Sequence, residues 1–130
     1  MAYKGSQPFK ITLEAGADLS TKQYYFVKLD SSGEAVVCSG ATDKPVGVLQ
    51  NNPTAGQAAE IVVVGLTKVS SNAALAIGDL IGTSADGQAD AKIAGTDTTE
   101  YVVGTVLTTT GAADVIGSVL VNCANPHRAS

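Results

Sequence analysis

Charged side chains are scarce in this 130-residue sequence, where Asp, Glu, Lys and Arg make up 15 % of the chain. Soluble domains usually hold roughly 25 %. Twelve acidic and eight basic residues leave a formal net charge of −4, and the basic residues form no cluster. Because nucleic-acid binding needs clustered lysine and arginine, we expect no nucleic-acid partner. With so few charges to keep every face wetted, we expect a partner to cover part of the surface.

Residues that carry chemistry are equally few. The single histidine, His127, lies three residues from the end of the chain, where residues are commonly mobile and poorly placed for catalysis. Gly82–Gly87 has the glycine spacing of a phosphate-binding loop, but Gln88 stands where that loop needs lysine. No Gly-x-Ser-x-Gly elbow occurs. We therefore expect no enzyme, no catalytic residue and no cofactor.

Cysteine and long apolar runs are also rare. The two cysteines, Cys38 and Cys123, lie in apolar runs typical of strands. Together with His127 they are too few and too far apart to predict a metal site. No signal peptide is recognisable, so we expect reduced thiols that pack as small core residues. The longest apolar run, Ile61–Val64, is far shorter than the roughly 20 residues of a membrane helix, and no membrane partner is expected.

The sequence is rich in short β-branched runs that Gly, Asp, Asn and Ser separate. This pattern predicts an all-β fold, either a compact barrel or a sandwich. One short helical turn is expected at Asn72–Gly78, with Asn72 as its N-cap and Gly78 as its stop. The predicted strands are Phe9–Leu13, Tyr24–Leu29, Glu34–Ser39, Pro45–Gln50, Glu60–Val64, Leu66–Val69, Leu80–Thr83, Ala89–Ile93, Tyr101–Thr108 and Val115–Asn122.

Two segments, residues 24–69 and 78–122, repeat the same order of turn and strand residues. The shared markers, at nearly constant separation, are Gly33 and Gly87, Asp43 and Asp97, and Gly47 and Gly104. One such unit exposes an apolar face that it cannot bury alone, so the two copies are expected to face each other. Gly47 and Gly104 lie inside strands, where glycine marks a bulge or a tight corner, and should occupy matching positions.

The termini differ in composition from the middle of the chain. We expect an extended N-terminal arm at residues 1–9, a single β domain at residues 10–123 and a C-terminal tail at residues 124–130. The arm is a candidate for pairing with a neighbouring sheet edge. Alternation in a strand would place Tyr24 and Phe26 on one face and Tyr25 on the other. Core or edge packing and a subunit interface both remain open for the two tyrosines. The candidate capsid or subunit interface residues are Tyr3, Lys4, Pro8, Phe9, Tyr24 and Tyr25.

Several segments, taken in order, are similar to a known family. They are Phe26–Leu29, Thr42–Gln50, Ala55–Gly65, Gly78–Ile81 and Tyr101–Gly104. Together they resemble the small capsid decoration, or cement, proteins of tailed bacteriophages, over roughly residues 10–123. The resemblance implies a β-rich, often homotrimeric protein that is made in the bacterial host cytoplasm. It also implies binding to the major capsid protein on the outer surface of the expanded virion head.

Two other functions stay open. Another repeating virion component, such as a tail or fibre module, would form rings or rods when purified alone. A ligand-binding β-barrel would need an aromatic-lined pocket, and the chain has no Trp. For a decoration protein the expected mechanism is linkage: a protein that binds only the expanded shell stabilises it by mass action.

Overall fold

Nine strands form one curled antiparallel sheet, and two further strands form a small ribbon. The computed structural model describes residues 8–130, so Tyr3 and Lys4 lie outside the described residues. The all-β prediction is confirmed. The sheet strands are β1 (Phe9–Glu14), β2 (Phe26–Leu29), β3 (Ala35–Val37), β4 (Gly47–Leu49), β5 (Ala58–Ser70), β6 (Leu80–Thr83), β7 (Ala89–Ala91), β9 (Gly104–Val106) and β10 (Ile116–Asn122), and the ribbon strands are β8 (Tyr101–Val102) and β11 (His127–Arg128).

The helical turn expected at Asn72–Gly78 is wrong, because this segment holds turns and an isolated bridge. Its central residue, Leu75, pairs with Thr110 across the chain. The Leu75 N–H donates to the Thr110 carbonyl at 3.0 Å, and the Thr110 N–H returns the same bond. Long-range pairing therefore uses the backbone groups that a helical turn would have needed.

Two predicted strand boundaries differ from the structure. The strands expected on either side of Gly65 are one 13-residue strand, β5. Gly65 has a φ of 135° and pairs directly with Val121 of β10, so the ladder continues through the glycine. The predicted strand Tyr101–Thr108 is instead divided at Val103, whose N–H donates to Ile81. Only the part before Val103 turns away to pair with β11.

The order of strands across the sheet repeats. On one side of the centre it is β3-β2-β4-β5, and on the other it is β7-β6-β9-β10. Gly47 opens β4 opposite Val27, and Gly104 opens β9 opposite Ile81. The two glycines therefore begin equivalent strands in equivalent pairings. The same loop hydrogen bonds recur in both halves, Val46 N–H to Val27 O and Leu19 N–H to Pro53 O in the first, Val103 N–H to Ile81 O and Leu75 N–H to Thr110 O in the second.

The structural repeat begins before residue 24. Ala15 forms a parallel bridge with Ala35, and Ser71 forms the corresponding bridge with Ala89. β1 pairs with the first half of β5, just as the second half of β5 pairs with β10. Each repeat therefore contains five strand segments, and β5 ends the first repeat and begins the second. We refer to residues 9–64 as the first repeat and residues 65–122 as the second repeat.

Two core clusters follow from this arrangement. The smaller cluster lies inside the first repeat and is built around Val27, Leu49 and Ile61. The larger cluster joins residues of both repeats. Its first-repeat members include Phe26, Val48 and Val62, and its second-repeat members include Ile81, Val106 and Val119. The backbone also closes this junction, because the Phe26 N–H donates to the Gly87 carbonyl at 2.7 Å.

A carboxylate caps the equivalent loop of each repeat. Asp43 accepts hydrogen bonds from the Ser39 and Gly40 N–H groups, and Asp97 accepts one from the Ile93 N–H. The accompanying cation differs. In the first repeat the exposed-face residue Lys28 lies 2.8 Å from Asp43.

In the second repeat, the buried side chain of Lys92 stabilises the equivalent loop. Lys92 has no exposed side-chain surface, and its Nζ donates to the Thr83 carbonyl and to Glu100. A buried ammonium is tolerated only when it is paired and hydrogen-bonded. These bonds therefore fix the path of residues 93–100, which leads from β7 to the ribbon.

Alanine in place of Gly47 or Gly104 should destabilise the fold. A Cβ atom at Gly104 would lie 2.6 Å from the Leu120 carbonyl oxygen, and one at Gly47 would collide with the equivalent Val62 oxygen. We expect each substitution to lower the free energy of unfolding in urea by about 1–3 kcal/mol. Gly111→Ala is the matched control, because a Cβ atom there meets nothing within 4 Å. Equal stability of all three variants would contradict an equivalent close backbone contact at Gly47 and Gly104.

Asp43→Asn should remove a pH-dependent contribution to stability. Burial raises the pKa of Asp43, but the hydrogen bonds from Lys28, Ser39 and Gly40 outweigh it and hold the pKa below its usual 3.8. A lowered carboxyl pKa stabilises the fold above the usual value, and the contribution disappears as pH falls through the lowered one. We expect a loss of about 1–2 kcal/mol near pH 7 and a much smaller loss below about pH 3. Urea unfolding at several pH values measures it, with Asp86→Asn as the control; a pH-independent difference would contradict the assignment.

Candidate interaction surface

The side chains that could ligate a metal ion lie apart in the described chain. Within residues 8–130, no three His, Cys, Asp or Glu side chains are placed to hold a metal ion. Cys38 and Cys123 are free and buried in the larger core cluster, as the sequence predicts. Burial raises the pKa of each thiol to about 12. Neither cysteine therefore presents a reactive thiolate near neutral pH.

None of the described residues 8–130 belongs to a helix of the length and apolar character that crossing a membrane requires.

The predicted N-terminal interface residues that the structure describes belong to the sheet or lie against it. Phe9 is the first residue of β1, where the predicted strand Phe9–Leu13 also begins, and it pairs with Val64. Its side chain is 60 % exposed. Pro8 is half-buried and lies over the backbone of Gly65. The chain thus enters the fold at the boundary between the two repeats.

Tyr24 and Tyr25 are half-buried and precede β2. Strand alternation does not extend to them, because Tyr24 has a φ of 68° and lies in the left-handed region. The Tyr24 N–H donates to Leu49, and its carbonyl accepts from the Ser70 N–H. Tyr24 is thereby fixed between the first repeat and the end of β5, and does not share a strand face with Phe26.

Each tyrosine ring lies near a lysine of the same chain, and Tyr25 also lies near acidic residues. Lys68 lies 6.0 Å from the centre of the Tyr24 ring, and Lys22 lies 4.9 Å from that of Tyr25. Burial raises the pKa of Tyr25, and the negative charges of Asp114 and Asp86 raise it further. Acidic residues of the second repeat therefore lie near enough to Tyr25 to disfavour its phenolate.

An exposed apolar surface of the sheet lies on the second repeat. Leu80 pairs with Thr105, Thr105 with Leu120, and Leu120 with Leu66, so the four side chains share one face across four neighbouring strands. Leu120 is 51 % exposed and Leu80 is 41 % exposed, whereas Thr105 and Leu66 are half-buried. We call these four residues the leucine row.

Further aliphatic side chains extend this surface. Leu107 follows β9 and its N–H donates to the Ser118 carbonyl of β10, which places Leu107 beside the leucine row. Leu107 is 41 % exposed and Ile77 is 70 % exposed. The backbone after Ile77 is tied to β9, because the N–H of the following Gly78 donates to the Val106 carbonyl.

A shallow depression of about 250 Å³ adjoins the leucine row. The ribbon of β8 and β11 forms its other wall. Within residues 124–130, which the sequence predicts as a C-terminal tail, His127 pairs with Val102 and Ala129 is buried. The lining residues are Leu80, Val102, Val103, Gly104, Thr105, Leu120, Val121, Asn122, Asn125 and His127.

The equivalent row of the first repeat has the opposite environment. Phe26 pairs with Val48, Val48 with Val62, and Val62 with Lys10. Phe26, Val48 and Val62 have no exposed surface, because they belong to the core cluster shared with the second repeat. One row is covered by the chain itself and the other is left open.

The leucine row was not identified from the sequence, although the sequence holds a signal for it. Residues 101–126 contain a single charged side chain, Asp114. A segment of that length on a protein surface normally carries several charges. Pairing information was still needed, because the row joins residues that are up to 54 positions apart, from Leu66 to Leu120.

Comparison with known proteins reveals a similarity of fold. No protein-family model matches the chain, and no curated protein sequence matches it. Among solved structures, the chain is similar to the N base of head fiber gp8.5 of bacteriophage phi29, with a TM-score of 0.64 and 13 % sequence identity. The alignment covers 90 % of this chain and 96 % of that one. The two proteins share a fold over nearly their whole length.

The two rows should respond differently to truncation. Phe26→Ala removes a fully buried ring, and we expect a loss of about 3–5 kcal/mol in the free energy of unfolding. Leu80→Ala, at the equivalent but exposed position, should change it by no more than about 0.5 kcal/mol in dilute protein. Chemical unfolding followed by circular dichroism measures both. Similar losses for the two variants would show that the rows do not differ in burial.

Proposed function

We propose that this protein is a structural component of a bacteriophage virion that binds the outer surface of the expanded head. The observation that carries the proposal is the fold shared with the phi29 head fiber base over 90 % of the chain. The order of segments that resembles phage decoration proteins points to the same class of protein. In this proposal the partner is the major capsid protein, and the unit that binds it is a homotrimer.

The mechanism in this proposal is stabilisation by linkage. A protein that binds the expanded shell but not its precursor or its separated subunits shifts the equilibrium toward the expanded shell. Each site adds about 2.7 kcal/mol when the free protein is at a hundred times its dissociation constant. Many equivalent sites on one lattice would add together. The small size and low charge of the chain suit it to lie between neighbouring subunits.

The described residues offer less support for the ligand-binding alternative. The larger depression, of about 570 Å³, lies between β2, the segment before β4 and the C-terminal residues. Small-molecule sites are commonly lined by aromatic side chains, and none lines this depression. Its lining residues are Lys28, Leu29, Lys44, Pro45, Val46, Cys123, Ala124 and Pro126.

A second candidate function is the base of a fibre attached to the virion. It is favoured by the same fold comparison, since the similar structure is a fiber base. Copy number separates the two functions. Mass spectrometry of purified virions should find hundreds of copies for a decoration protein, and six or twelve copies would favour a fibre or tail part. Absence from virions would contradict both.

Removal of residues 1–7 should weaken binding to empty expanded heads. These residues include Tyr3 and Lys4, and the truncation leaves β1 intact from Phe9. We expect the dissociation constant, measured by cosedimentation, to rise by at least about tenfold. Glu60→Gln, an exposed change within β5, is the control and should bind normally. Undiminished binding of the truncated protein would eliminate the arm as the contact.

A further inference from the structure

We propose that the leucine row is the surface on which a second copy of this chain docks. The interface would be formed by the outer face of β6, β9, β10 and the second half of β5. Leu80 and Leu120 would be its most exposed anchors. The inference concerns association of the free protein, so it does not depend on binding to a phage head.

The equivalent row of the first repeat favours a second copy as the occupant. In the first repeat, this same row of the fold is covered by a repeat unit of the same chain, and Phe26, Val48 and Val62 are fully buried. The second repeat has Leu80 and Leu120 at the positions equivalent to Phe26 and Val62. It also has Leu66 where the first repeat has Lys10. The open row is thus more apolar at that end than the covered one, although nothing within residues 8–130 covers it.

The charge of this surface also favours a second copy. None of the four residues of the leucine row is ionisable, and the neighbouring Leu107 and Ile77 are aliphatic. The closest cation along β5, Lys68, lies against the Tyr24 ring. Two copies of a chain with net charge −4 repel each other at most faces. A face without ionisable side chains can dock on another copy without that penalty.

The shape of this surface also favours a second copy. The row crosses four adjacent strands, which spans about 14 Å at the usual spacing between strands. An apolar strip of this length matches the face of another sheet, and packed sheets lie about 10 Å apart. A partner with a projecting side chain would instead need a deep pocket, and the adjoining depression is shallow. A second copy is therefore the occupant that fits best.

The test is sedimentation velocity of the full chain over a wide range of concentrations. The wild-type protein should sediment as an assembly larger than the 13.0 kDa monomer at the higher concentrations. Leu120→Glu places a charge in the centre of the row and should raise the dissociation constant by at least about tenfold. Leu80→Lys is a second variant at the other end of the row. Ile93→Glu is the matched control, because Ile93 is 62 % exposed and lies outside the row.

Each outcome decides the inference. Weakened assembly of Leu120→Glu and Leu80→Lys, with folded circular dichroism spectra and normal assembly of Ile93→Glu, supports it. A wild-type protein that stays monomeric at every concentration overturns it, as does equal assembly of all variants. Loss of assembly on removal of residues 1–7, with Leu120→Glu unaffected, assigns the contact to the N-terminal segment and also overturns it. Failure of head binding alone, by contrast, would affect only the proposed function.

Discussion

The whole structure depends on burial of one face of the first repeat against the second. Phe26, Val48 and Val62 lie side by side across three strands and are completely buried in the cluster that joins the repeats. Full burial of such side chains contributes roughly 1.5–3 kcal/mol each. Without this junction, each repeat would be a curled five-strand sheet with one open apolar face, a size that is marginal in water. The duplication is therefore a condition for folding as well as a trace of origin.

Glycine makes the close strand pairing possible. At the start of β4 and of β9 the chain passes so near to the next strand that a Cβ atom would strike a backbone oxygen. The two positions can be recognised in the sequence because they recur in the same context, Val-Gly followed by a hydrophobic strand. Loop carboxylates recur for a similar reason, since each caps backbone N–H groups that the loop leaves without strand partners. Local backbone requirements are what the two repeats preserve most clearly.

Those local requirements explain which features could be predicted from the sequence. All-β structure, most strand positions and the repeat markers follow from β-branched runs and turn residues. The continuity of β5 through Gly65, the bridge that replaces a helical turn at Leu75 and the pairing of His127 with Val102 depend on distant partners. The candidate surface is also non-local, because Leu80 and Leu120 become neighbours only through Thr105. Tyr24 shows the reverse case, in which a left-handed residue ends an expected alternation.

The asymmetry between the repeats connects structure with function. The second repeat covers the first, and its own equivalent face is left partly exposed by the described residues 8–130. A chain that ended there as a monomer would gain solubility from polar or charged residues on that face, as at Lys10 in the first repeat. The second repeat instead carries Leu66, Leu80 and Leu120 there, within a region almost free of charge. Large exposed apolar surface of this kind marks an interaction site. The open end of the duplication is therefore where we propose that another copy docks.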